Sequence, residues 1–77
     1  MKTKVFIPYN NEKVFKHHRR NGRYQPDFAE WMINTLGKVT GGMWGTEPRL
    51  IKGYINDGMT FWFKEPSHAM MFKLTWI

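Results

Sequence analysis

From Thr3 to Tyr9 apolar and polar residues alternate. Val5, Ile7 and Tyr9 fall on one side, and Lys4, Phe6 and Pro8 on the other. A period of two predicts a strand with one buried face. Pro8 has no N–H, so the strand ends or frays there. At Pro26 the period changes. Phe28, Trp31, Met32, Thr35 and Leu36 follow the i, i+3, i+4, i+7, i+8 stripe of a helix over Pro26–Leu36. Pro26 suits a first turn, Asp27 and Glu30 place negative charge near the positive end of the dipole, and Gly37 is the expected stop. Alternation returns over Arg49–Ile55 and Met59–Lys64. Between them, Asn56-Asp57-Gly58 reads as a three-residue hairpin with Gly58 in the left-handed position. That register puts Ile51, Ile55, Met59, Phe61 and Phe63 on one face, and Lys52, Tyr54, Thr60 and Trp62 on the other. The helix stripe and the inward strand face together predict a core around Trp31, Leu36, Ile51 and Phe61.

The remaining segments are less regular. Asn10–Gln25 reads as a loop, with a short helix over Glu12–Arg20 ended by Asn21-Gly22. Lys38–Pro48 carries Gly41, Gly42, Gly45 and Pro48 and is predicted to be a mobile loop. Glu65-Pro66-Ser67 opens a short helix to about Met71, and Phe72–Ile77 alternates as a final strand. The alternative is one continuous helix from Pro66 to Trp76. The order strand, helix, strand, strand, helix, strand predicts an α+β fold. Its layout is ferredoxin-like, a split βαβ with an antiparallel sheet and two helices on one face.

Seventy-seven residues supply one small domain, residues 1–77, with a marginal core. Four Trp, three Tyr and six Phe offset that, and exceed what a small core needs, so some rings are expected at a surface. Net charge is +6, which favours acidic partners. The absence of Cys excludes disulfides, thiol catalysis and cysteine-based zinc sites. The N-terminal residues hold no apolar run of signal-peptide length, and no segment is long enough to span a membrane, so a cytoplasmic protein is expected.

Charge is concentrated between Lys13 and Tyr24. Lys13, Lys16, Arg19, Arg20 and Arg23 lie there with His17, His18, Phe15 and Tyr24, and without an acid. Such a segment is expected to stay out of the core and to meet a polyanion, of which nucleic acid is the commonest. In the split βαβ layout the sheet face away from the helices carries Lys4, Phe6, Lys52, Tyr54, Thr60, Trp62, Lys73 and Thr75. Rings flanked by lysines suit base stacking. The same patch also suits a protein partner or a second copy.

Val5-Phe6-Ile7-Pro8-Tyr9 resembles the first-strand signature of the RNA recognition motif, with Phe6 at its stacking position. Gly58-Met59-Thr60-Phe61-Trp62-Phe63 resembles the third strand of that motif, although Thr60 stands where the signature has a ring. The resemblance implies nucleic-acid binding by the sheet. The ending Ala69-Met70-Met71-Phe72-Lys73-Leu74-Thr75-Trp76 is similar to that of small tailed-bacteriophage proteins ending in Ala-x-x-Phe-Lys-Leu-x-Trp. It implies a phage accessory protein in a bacterial cytoplasm and assigns no active site.

His17, His18 and His68 raise a remote alternative, a metal-independent ribonuclease using His and Lys as acid and base. Adjacent histidines cannot share a helix face, and Arg19 and Arg20 repel both a proton and a metal cation. Gly41-Gly42-x-x-Gly45 lacks the Lys-Ser/Thr of a phosphate loop. No catalytic residue, metal site or cofactor is expected. The sequence predicts a non-enzymatic protein that binds RNA or DNA through Lys13, Lys16, His17, His18, Arg19, Arg20, Arg23 and Tyr24, with Phe6, Lys52, Tyr54 and Trp62 on the sheet. The alternative is an inhibitor or adaptor for an acidic host protein surface, acting as a homodimer or alone.

Overall fold

The computed structural model describes residues 2–16, 23–48 and 58–77. The chain forms strand β1 (Thr3–Pro8), helix α1 (Pro26–Leu36), a short 3-10 turn (Val39–Gly41), strands β2 (Trp44–Pro48) and β3 (Gly58–Phe63), and helix α2 (Pro66–Trp76). The strands make one antiparallel sheet in the order β1-β3-β2. Phe61, at the centre of β3, pairs with Val5 on one side and Thr46 on the other.

The core grows from the predicted inward faces. Val5, Ile7 and Tyr9 are buried, as are Phe61 and Phe63, while Lys4 and Pro8 are exposed. Phe28, Met32 and Leu36 carry the buried side of α1, and Ala69 and Phe72 that of α2. Phe61 touches Phe28 at 5.6 Å and Phe72 at 5.1 Å between ring centres, so both helices reach the same face of the sheet. Edge-to-face and tilted pairs of this kind add about 0.5–1.5 kcal/mol each beyond area burial, a large share of the stability of so short a chain. Gly37 ends α1 with φ 90°, as its position after the stripe predicts.

Three expectations are corrected. Lys38–Pro48 is not a loop throughout, because its second half is β2. Trp44 drives that strand: its ring is buried beside Phe61 and its Nε1 donates to the Gly37 carbonyl at 2.8 Å. Pro48 is tolerated because, among the described residues, β2 is an edge strand. Gly58 is not a left-handed turn residue; it opens β3 opposite Pro8, and the described glycines with positive φ are Gly37 and Gly42. Phe72–Ile77 is not a fourth strand. Ala69, Phe72 and Trp76 sit at i, i+3 and i+7 on the inward side of one helix, and Thr75 Oγ1 donates back to the Met71 carbonyl at 2.8 Å. Lys73 and Thr75 therefore leave the sheet face. The strand predicted over Arg49–Ile55 lies outside the described residues.

The predicted core is also adjusted. Leu36 and Phe61 are in it, Ile51 lies outside the described residues, and Trp31 is half-buried at its margin, edge-on to Trp76 at 5.9 Å. Phe28 occupies the central place, touching Tyr24, Phe61, Phe72 and Trp76.

Candidate nucleic-acid interface

The basic segment begins and ends in the core. Val14 and Phe15 are 0% and 1% exposed, which overturns the expectation that residues 13–24 stay out of it. Phe15 bridges Tyr24 across an antiparallel step, with Lys16 N–H donating to the Arg23 carbonyl at 2.9 Å and Gln25 N–H to the Val14 carbonyl at 2.8 Å. The two ends thus form the neck of an arm, and the helix expected over Glu12–Arg20 is absent from its described part. Ring contacts pin the neck: Phe15 meets Tyr9 at 5.0 Å, and Tyr24 meets Phe28 at 5.3 Å and Phe61 at 6.1 Å. Lys16 and Arg23, next in sequence to those rings, alternate to the opposite side of the ribbon and are exposed, as is Lys13. None of the three has an ion-pair partner among the described residues. His17, His18, Arg19 and Arg20 belong to residues 17–22, between Lys16 and Arg23, and lie outside the described residues.

Tyr24 is the site residue the structure removes from its predicted role. Its ring is packed among Phe15, Phe28 and Phe61 rather than offered to a base. Burial pushes its hydroxyl above the usual tyrosine range, and a hydrogen bond with Thr46 opposes that.

An asparagine absent from the sequence-predicted set fixes the base of the arm. Asn11 N–H donates to the Pro8 carbonyl at 3.0 Å, Asn11 Nδ2 to the Trp76 carbonyl at 3.0 Å, and Asn11 Oδ1 accepts from Lys13 N–H at 3.0 Å. One residue, through its backbone and its side chain, thereby joins the end of β1, the arm and the last turn of α2. The signal in the sequence is an Asn shortly after a strand-ending Pro-Tyr, a common side-chain-to-backbone turn.

Phe6 and Trp62 lie on the reverse side of the sheet, half-buried, with Thr60 between them. Each ring rests on a glycine. Trp62 covers Gly45, and Phe6 covers Gly58. Lys2 Nζ stands 4.0 Å from the centre of the Trp62 ring, and Lys4 is bound to Glu47 at 2.8 Å. This face therefore holds two of the three expected rings, and its two described lysines are already engaged. Lys52 and Tyr54 lie outside the described residues. The structure does not bring the neck of the arm and these rings together, since the neck packs on the Phe61 side of the sheet.

His68 stands in the first turn of α2, half-buried, with Nδ1 enclosed and no hydrogen-bond partner among the described residues. No group of three His, Asp or Glu side chains able to hold a metal occurs among the described residues. No described helix is long and apolar enough to cross a membrane.

No known family, curated protein or solved structure matches this chain.

Proposed function

We propose that this chain is a non-enzymatic nucleic-acid-binding protein whose basic arm takes the phosphates. The observation that carries the reading is the neck. Phe15 and Tyr24 anchor the ribbon in the core, so Lys16 and Arg23 are held a hydrogen bond apart at the base of a segment containing Arg19 and Arg20. Fixing cations at a spacing lowers the entropy lost when they meet a backbone of phosphates. Lys13 adds a third exposed cation at the neck. On the other side of the sheet, Phe6 and Trp62 supply the stacking half of the reading, with Lys2 displaced from the Trp62 ring by an incoming base.

The fold reads as a ferredoxin-like split βαβ whose fourth strand has been replaced by the second half of α2. That layout, the Val5–Tyr9 segment and the ending of α2 fit a phage accessory protein working in a bacterial cytoplasm. The test is a salt titration of single-stranded RNA and DNA binding by fluorescence anisotropy. Affinity that falls log-linearly with salt, and a slope that flattens in Lys16→Glu/Arg23→Glu, supports the arm. Wild-type affinity and slope in that variant refute it.

A second reading, an inhibitor or adaptor for an acidic host protein, has its own observation. The outer side of α2 is apolar too: Met70, Leu74 and Ile77 follow i, i+4, i+7 and are exposed, Leu74 by 80%. A helix with apolar residues on two opposite sides is usually covered on both. A partner retained after nuclease treatment and lost in Leu74→Glu distinguishes this reading from the first.

A further inference from the structure

Between α1 and β2 the chain leaves a cavity of about 380 Å³. Phe28, Ala29 and Met32 of α1 form one wall, and Val39 and Trp44 the other, with Lys38 at the rim. The size falls in the range of small-ligand sites, roughly 300–1,000 Å³. None of its lining residues lies on the open sheet face, and of the neck residues Tyr24 alone lines it.

Its chemistry is unusually one-sided. Trp44 Nε1 is spent within the protein, donating to the Gly37 carbonyl at 2.8 Å, and besides Lys38 the polar side chains of the lining are those of Tyr24 and Thr40. The rest of the lining, Phe28, Ala29, Met32, Ile33, Val39 and the Trp44 ring, offers a ligand hydrocarbon and ring faces. A polar group placed there would be stranded, so the body of any occupant is apolar. The one charge is the exposed Lys38 ammonium, which has no ion-pair partner among the described residues. Ile33 and Val39, 51% and 53% exposed, widen the apolar surface at the mouth.

We propose that this cavity binds a small amphipathic anion, a hydrocarbon or aromatic body capped by a carboxylate or similar head that meets Lys38. The occupant is a free molecule rather than a lipid in a bilayer. A membrane surface is recognised by a cluster of cations, on the order of 4–8, around the apolar element, whereas a single ammonium marks this rim.

The test uses sodium decanoate, kept below its micelle concentration, against the intact chain in ¹H–¹⁵N correlation spectra. Saturable shifts centred on Ala29, Ile33, Lys38, Val39 and the Trp44 indole N–H are expected. Decanol should bind more weakly. Lys38→Glu, an exposed change that leaves the core alone, should weaken decanoate by about tenfold and turn preference toward decyltrimethylammonium. Ala29→Phe, which fills the cavity, should abolish the shifts while the rest of the spectrum stays folded. The proposal is overturned if decanoate moves Lys13, Lys16 and Arg23 instead, if Lys38→Glu binds it as wild type does, or if binding begins only with micelles or anionic vesicles.

Discussion

Trp62 lies across Gly45, its Cζ2, Cε2 and Nε1 atoms 2.5–2.7 Å from where a Cβ on that glycine would stand. The indole covers the strand backbone because nothing projects from it. Phe6 and Gly58 repeat the arrangement one strand over, where a Cβ would meet both the Phe6 ring and the Ile7 carbonyl oxygen. The two glycines predict different costs. In Gly45→Ala the obstacle is a side chain on the open face that can swing away, so the loss should be small, about 1 kcal/mol. In Gly58→Ala the obstacle includes backbone inside the sheet, and the loss should reach about 3 kcal/mol. Thermal melting of both variants decides the ranking. Near-ultraviolet circular dichroism should change in Gly45→Ala, because Trp62 leaves its seat.

Two aromatic truncations separate the core from its margin. Phe15→Ala removes a ring that is 1% exposed and holds the neck against Tyr9 and Tyr24. It should cost about 3–5 kcal/mol, enough to threaten a domain of this size. Trp31 is half-buried and makes its ring contact with Trp76 alone, so Trp31→Ala should cost less than half as much. Denaturant unfolding of the pair tests this. Equal losses would put Trp31, rather than Phe28 and Met32, on the side of α1 that faces the core.

The sequence shows clearly what repeats and poorly what depends on a single contact. The alternation of β1 and β3 and the stripe of α1 are periodic, and they place Val5, Ile7, Phe61, Phe63, Phe28, Met32 and Leu36 inward as the structure has them, while Trp31 ends at the margin and Thr35 in solvent. β2 is hidden by Gly45 and Pro48, which read as loop residues. Its cause is long-range: Trp44 burial, a neighbouring indole that needs a bare backbone, and an edge position that forgives proline. The end of the chain is ambiguous for a different reason. Phe72, Leu74 and Trp76 satisfy a period of two, and Ala69, Phe72 and Trp76 fit a helix equally well. Pro66 at the first turn and packing against Phe61 and Phe63 resolve it toward helix. At the site, charge density locates the exposed Lys13, Lys16 and Arg23. It also draws in Phe15 and Tyr24, since a ring beside arginines looks the same whether it serves a ligand or a core.

Tyr24 gives the fold a dependence on alkaline pH. Burial raises its pKa in the folded chain above the unfolded value near 10, so the neutral phenol is the folded form's preferred state. A raised pKa contributes stability that is fully present below about pH 10 and is lost as pH rises through the folded value. The protein should therefore melt at progressively lower temperature above about pH 10. Tyr24→Phe should flatten that decline while changing the melting temperature little at neutral pH, because the ring and its contacts with Phe15, Phe28 and Phe61 are kept. Melting curves on either side of pH 10 check both halves. An alkaline decline as steep in Tyr24→Phe as in wild type would place its origin elsewhere.

The separation of the arm from the open sheet face makes two binding signatures distinguishable. In the proposed function Lys16 and Arg23 meet phosphates, so Lys16→Glu/Arg23→Glu should flatten the dependence of log affinity on log salt by about 0.7 for each phosphate left unneutralised. Folding should be nearly untouched, within about ±0.5 kcal/mol, because both side chains are exposed. Trp62 is proposed to stack a base, so Trp62→Ala should cost about 1–3 kcal/mol of single-strand affinity and leave the salt slope unchanged. Lys2 stands over that ring, and its cation–π interaction, worth about 0.5–1 kcal/mol at an exposed site, must be given up when a base enters. Lys2→Ala should then strengthen stacking at high salt, where its own charge is screened, and weaken binding slightly at low salt. Anisotropy titrations at several salt concentrations read all three effects. A Trp62→Ala variant with full affinity and an unaltered slope would leave the arm as the sole point of binding and assign the open face to packing over Gly45.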